Sequence, residues 1–279
     1  MFTRVAAGRA RVVREVRAAA PLMTALRAPV TARGPWLTAV LNAGAASWPR
    51  ARPVAVVVEA HRQGRPEAAA FLALRRRGLT TVVTMLGGGT EPLPGGRPAA
   101  RLLARDEEAA SRLADGVHDL LATLRRPWSL ELAGLPLGDP TSRLLAARLP
   151  TSVLGNVRSV RLVDELDDLG PAPVLRSRDP RLLERWLPAL LTAADPRVRA
   201  FLRATARVHA AIGELELAVV ADGHTLRAGL LTLVDGEDRW PWWSTGTGTR
   251  TEMGAPLVGL TAPARGWPAR SALSRGAAR

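Results

Sequence analysis

The 279-residue chain contains no cysteine, no lysine and no tyrosine. Without cysteine, disulfides and thiolate metal sites are excluded. Histidine is scarce: His61, His118, His209 and His224 are not spaced as helix or finger ligands, which argues against a metal centre. No apolar run approaches the roughly 18 residues of a membrane span. The opening stretch "MFTRVAAGRARVVREVRAAAPLM" is broken by Arg9, Arg11, Arg14 and Arg17, so it lacks a signal-peptide apolar region. A cytoplasmic protein is expected. Val5, Val12, Val13 and Val16 lie at helical spacing, which predicts a basic, solvated or docking helix in the N-terminal extension.

The charge is one-sided. All 39 basic residues are arginine, against 25 acids. The excess sits at the two ends: residues 1–52 carry nine arginines and one acid, and residues 255–279 carry four arginines and none. The segment between them is nearly balanced. Phosphate recognition needs basic residues gathered on one face, and the middle of the chain shows no such cluster, which argues against a nucleic-acid partner.

Punctuation organises the middle. Asp139-Pro140, Asp179-Pro180 and Asp195-Pro196 each precede an apolar helical pattern, with Asp as N-cap and Pro at the first helical position. A further helix is expected over 106–124, opened by three acids near its positive end. Strands are expected at 53–60, 67–74 and 80–86, then at 128–135 and 156–163. A later set falls at 214–221, 225–234 and 238–245, and Asp-Gly between apolar runs marks its hairpins. Both sets read helix, strand, turn, strand, turn, strand, in about 50 residues each. A duplication follows, whose second copy has too few residues left for the elements that close the first. The tail "TAPARGWPARSALSRGAAR" has no sustained period and reads as disordered.

The stretches "RPVAVVVEAHRQGRPEAAAFLALRRRGL", "VTMLGGG", "LLARDEEAASRLADGV", "RPWSLELAGLPLGDP" and "IGELELAVVADGHTLRAGLLTLVDG" carry a family likeness. From about residue 35 to 260 the chain resembles the GNAT superfamily of acyl-CoA-dependent N-acyltransferases, in particular its duplicated CelD-like members common in actinobacteria. The resemblance implies an α/β (α+β) protein of two halves, each a mixed, mostly antiparallel sheet flanked by helices, the second incomplete. The boundaries expected are an extension at 1–34, a first half at 35–170, a second at 171–262, and a disordered basic tail at 263–279. The resemblance also implies acyl-CoA as co-substrate, with no metal, bound beside a splayed pair of central strands. A small-molecule acyl donor and an amine acceptor are the implied partners. Family members hold the pyrophosphate with Arg/Gln-x-x-Gly-x-Gly/Ala after the fourth strand, and this spacing occurs nowhere in the chain. "STGTGTR" (244–250) has glycines, but Trp243 stands where Arg or Gln should. "LGGGTEPLPGG" (86–96), at the equivalent place in the first half, lacks the same residue.

Glu214 and Glu216 lie two apart on an expected strand. They suit a general base in a cleft, or a solvent-facing edge with Leu215, Leu217 and Val219 packed inward. Trp240 and Trp242 share a face by alternation and Trp243 opposes them, as walls of a substrate pocket or as core. Ser244 could donate to a leaving thiolate. The tyrosine acid common in the family has no counterpart here. The expected function is acyl transfer from acyl-CoA to an amine, with an inactive or truncated relative as a variant of it. The alternative is a non-catalytic binding or scaffold protein on the same fold.

Overall fold

The protein is described by a computed structural model covering residues 1–46, 51–62, 64–88 and 96–265. Residues Phe2–Ala7 form strand β1, although the valine spacing predicted a helix running through them. Gly8, at φ 91°, breaks the chain there, and helix α1 (Arg9–Ala18) then turns Val12 and Val16 inward. Val5 stays exposed on the strand. Helices α2 (Ala20–Ala25) and α3 (Gly34–Ala46) follow. Strands β2 (Arg52–Glu59), β3 (Pro66–Arg77) and β4 (Thr80–Met85) then form an antiparallel meander, with β1 added along β2.

A two-residue strand, β5 (Leu103–Ala104), pairs with β3 at Ala68 and Ala69. Helix α4 (Glu107–Ala122) crosses the sheet, and β6 (Trp128–Pro136) returns parallel to β4 over Thr81–Thr84. Parallel neighbours need such a crossover. Helix α5 (Pro140–Arg148) and strand β7 (Val153–Asp164) complete this stretch.

The second half repeats the opening plan. Strand β8 (Leu175–Ser177), helices α6 (Pro180–Leu190) and α7 (Pro196–Ala211), and strands β9 (Leu215–Asp222), β10 (Thr225–Asp235) and β11 (Asp238–Thr245) form a four-stranded sheet ordered β11-β10-β9-β8. Its pairings are all antiparallel, as are those among β1, β2, β3 and β4. The Asp-Pro signals act as expected at two sites: Asp139 accepts from the Ser142 amide at 2.7 Å, and Asp179 from the Arg181 amide at 2.8 Å.

The copies diverge after their fourth strands. Where the first continues through α4, β6, α5 and β7, the second makes one turn and enters strand β12 (Thr249–Arg265). This strand leaves its own half and inserts between β6 and β7, giving the order β1-β2-β3-β4-β6-β12-β7. Among the described residues the second half has no counterparts of α4, β6, α5 and β7, and the strand inserted beside β7 comes from beyond the first half. Residues 249–262, expected within the second half, and 263–265, expected in a disordered tail, belong to this strand. Residues 266–279 of that tail lie outside the described residues.

One core cluster lies between α4, α5 and the large sheet, with Leu113, Val117 and Leu121 against Val56, Leu72 and Leu130. A second joins the halves, where α3 packs against α1 and α7 and Trp36 meets Phe201 and Trp242 edge-on. The Arg33–Asp235 ion pair links the halves beside it. Among the described residues no helix is long and apolar enough to cross a membrane.

Candidate functional site

The tryptophans of the second half are structural neighbours of this interface. Trp242 is fully buried, and Trp243 donates its indole N–H to the Leu190 carbonyl at 3.0 Å. Trp240 packs edge-on against Trp36, 5.7 Å between centroids. Simple alternation would have put Trp242 and Trp243 on opposite faces. A register shift in the β10–β11 pair, between Leu231 and Thr232, instead lets both enter one core. Ser244 accepts from the Thr249 hydroxyl at 3.2 Å.

Glu214 and Glu216 are not brought together. Glu216 is buried and ion-paired with Arg239, with Arg176 at 3.9 Å. Glu214 precedes β9 and faces His209 on α7, Oε2 to Nδ1 at 3.1 Å. His209 is wholly buried, and burial pushes its imidazole down to about 4. Burial raises the Glu214 carboxyl. These shifts give a pH prediction. The unfolded histidine binds a proton below about 6.5 and the folded one only near 4, so its contribution to stability is complete above 6.5 and lost as pH falls towards 4. Between pH 7 and 4.5 this single group costs the fold about 2–3 kcal/mol. Glu214 acts in the opposite sense, since its burial penalty is relieved on protonation. Urea unfolding at the two pH values checks this, and His209→Leu should lose correspondingly less stability on acidification.

The glycines of "STGTGTR" form the β11–β12 turn rather than a ligand cradle. A Cβ on Gly246 would stand 2.3 Å from the Arg227 carbonyl, and one on Gly248 2.7 Å from Leu169. Protein atoms already crowd the Cβ positions of both glycines.

A different site forms on the large sheet. On the face away from α4 and α5, strands β4, β6, β12 and β7 line a cleft of about 670 Å³. Thr84, Glu131 and Thr261 stand in register on three adjacent strands, and Val153 on a fourth. Their chain neighbours Val83, Leu130 and Ala262 pack into the helix-covered core, so alternation turns this row into the cleft. Glu131 is exposed and has no hydrogen-bond or ion-pair partner among the described residues. The Thr84 hydroxyl is buried and likewise unpartnered. Buried polar atoms are nearly always satisfied, so an orphan at a cleft floor marks a place for a ligand atom. Most of the remaining wall is apolar, with Arg97 as its cation.

Two glycines deepen the cleft. Gly155 and Gly259 face each other across β7 and β12, and a Cβ on Gly155 would meet nothing within 4 Å. Sequence inspection missed this site because its residues come from four strands spread along the chain. Among the described residues no group of three or more histidine and carboxylate side chains is arranged to hold a metal ion.

The start of α4, which follows the glycine loop of the first half, does not favour a nucleotide pyrophosphate. At the start of α4, Asp106 caps the Ala109 amide at 2.8 Å, and Glu107 and Glu108 follow in the first turn. These carboxylates engage the positive end of the helix dipole and repel a diphosphate. Beside β6, the Ala100 amide donates to the Gly134 carbonyl at 2.8 Å, so chain occupies that flank of the strand. Residues 89–95 of the glycine loop lie outside the described residues.

No family model matches the chain, and no curated protein matches it. Among solved structures, FemX aligns with a TM-score of 0.43 at 12% identity, over 84% of this chain. The chain spans 58% of the length of FemX. A tandem GNAT protein from the clavulanic acid biosynthesis pathway aligns at TM-score 0.35 and 14% identity, covering 94% of this chain and 98% of that one. A GCN5-related N-acetyltransferase from Sphaerobacter thermophilus gives 0.32 and 12%, over 93% and 95%.

Proposed function

We propose that the protein transfers an acyl group to an amine in the cleft of its large sheet. The observation that carries this is the unpartnered Glu131 carboxylate, in register between Thr84 and Thr261 in a mostly apolar cleft. The amine nitrogen forms a bond to the acyl carbon, and the leaving group departs with its electron pair. Glu131 accepts the proton released from nitrogen and returns it to the leaving group or to water. Thr84 can donate to an oxygen of either substrate, while the apolar wall excludes water. The sequence resemblance supports acyl transfer as the reaction class. The acidic first turn of α4 does not favour a nucleotide pyrophosphate, and the proton transfers are carried by the chain's own residues.

Filling the cleft tests its role. Gly155→Phe places a ring in the space opposite Gly259, with no backbone strain and no clash at Cβ. Acyl transfer, followed as thiol release from thioesters in the presence of primary amines, should fall to background. Stability should change by no more than about 0.5 kcal/mol. Undiminished turnover in this variant would place the chemistry elsewhere.

The acidic first turn of α4 favours a second role, a non-catalytic protein that binds a small ligand in the same cleft. It separates from the first by a simple contrast. A binding protein gains thermal stability from its ligand but releases no thiol, whereas the enzyme does both.

A further inference from the structure

We infer that the amine acceptor of this cleft also carries a carboxylate, as an amino acid does, and that Arg97 receives it. The inference rests on the acyl-transfer role proposed above. Glu131 and Arg97 line one cleft with opposite charges, both exposed. Neither forms a hydrogen bond or ion pair with any described residue, so the two do not neutralise each other. A ligand bearing both charges satisfies both groups at once, whereas a plain amine satisfies only Glu131.

The backbone around Arg97 is fixed. Gly96, at φ 78°, lies so close to β7 that a Cβ there would overlap the Val160 carbonyl. Pro98 follows Arg97, and a residue before proline is held to extended backbone. The Thr31 hydroxyl donates to the Ala99 carbonyl at 2.5 Å, and the Ala100 amide to the Gly134 carbonyl at 2.8 Å. Residues 96–100 therefore run from β7 to β6, the two neighbours of β12. They meet β6 three positions beyond Glu131, roughly 10 Å along the strand. One small molecule spans that distance.

The rest of the cleft suits such a solute. Its volume of about 670 Å³ is that of a small-molecule site, with Met85, Val153 and Val157 as apolar lining. A guanidinium holds a carboxylate through two parallel N–H···O bonds, which fixes the orientation of the acceptor. The amine end then lies towards Glu131. There nitrogen bonds to the acyl carbon as the carbon–sulfur bond breaks, and the proton passes through Glu131 to the departing thiolate.

The test compares lysine with cadaverine and phenylalanine with phenethylamine, each pair differing by the carboxylate alone. Thiol release is followed on the full chain, native and Arg97→Gln, with acetyl-CoA and with S-acetyl-N-acetylcysteamine. The quantity read is kcat/KM for the amino acid over that for its plain amine. Differences in intrinsic nucleophilicity cancel when this ratio is compared between the two proteins. We expect it to fall about tenfold in Arg97→Gln, at unchanged Tm. An unmoved ratio overturns the inference, and an equal fall of both rates assigns Arg97 to the acyl donor instead. If no amine releases thiol faster with the native protein than with Glu131→Gln, the acyl-transfer role itself fails. The carboxylate site is then read from Tm with the same four compounds. A rise with the amino acids that Arg97→Gln abolishes upholds it. No rise, or one that persists in the variant, overturns it.

Discussion

Glu131→Gln should lower the rate of acyl transfer by about 10²–10⁴-fold, the usual contribution of a positioned general base. The substitution keeps the shape and hydrogen-bonding reach of the side chain while removing its capacity to accept a proton. It should leave the fold unchanged, because Glu131 is exposed and makes no hydrogen bond or ion pair that the amide would break. KM should move much less than kcat, since the apolar wall and the flanking hydroxyls remain. A companion variant separates chemistry from structure. The Thr84 hydroxyl is buried without a partner, so Thr84→Val removes an unsatisfied group and should be neutral or slightly stabilising. If that hydroxyl serves a substrate, activity falls although stability does not. Glu131→Gln retaining full turnover would remove this carboxylate from the mechanism.

Ending the chain at Gly248 should disrupt the large sheet while its own sequence up to β7 stays intact. Strand β12 is the neighbour of both β6 and β7, and its loss leaves two unpaired edges. It also removes Val258, Leu260 and Ala262 from the core beneath α4 and α5. Full burial of Val258 and Leu260 contributes about 1.5–3 kcal/mol each. Against a total stability of roughly 5–15 kcal/mol, this loss together with the ladder hydrogen bonds is enough to unfold the region. Hydrogen exchange should show the β6 and β7 amides unprotected, while those of β9 and β10 exchange more slowly. Protected β6 amides in the shortened chain would mean that β12 is an accessory strand.

Much of the local architecture was legible in the residues. The helices after Asp139 and Asp179 begin where cap and proline stand, because a cap acts through amides two or three positions away. The Asp-Gly hairpins of β9, β10 and β11 follow equally from neighbouring residues. The site was a different matter. Glu214 and Glu216 satisfied alternation, yet the structure gives each its own partner, His209 for one and Arg239 for the other. The tryptophan run read as a pocket wall or as core, and the register shift that brings Trp242 and Trp243 into one core left no mark in it. Glu131 carried no local signal, since nothing near it in sequence distinguishes it from any exposed carboxylate on a strand.

Residue order alone was sufficient for the repeated plan of helix and three strands. Helix periodicity, caps and tight turns depend on residues a few positions apart, so they survive as readable patterns. The destination of residues 249–265 was settled only in three dimensions. Backbone amides and carbonyls pair with any strand that offers an edge, and the choice among edges rests on which core accepts Val258, Leu260 and Ala262. That choice closes the first sheet with the last described strand and sets Thr261 beside Glu131. It also places Gly259 against Gly155, which opens the cleft.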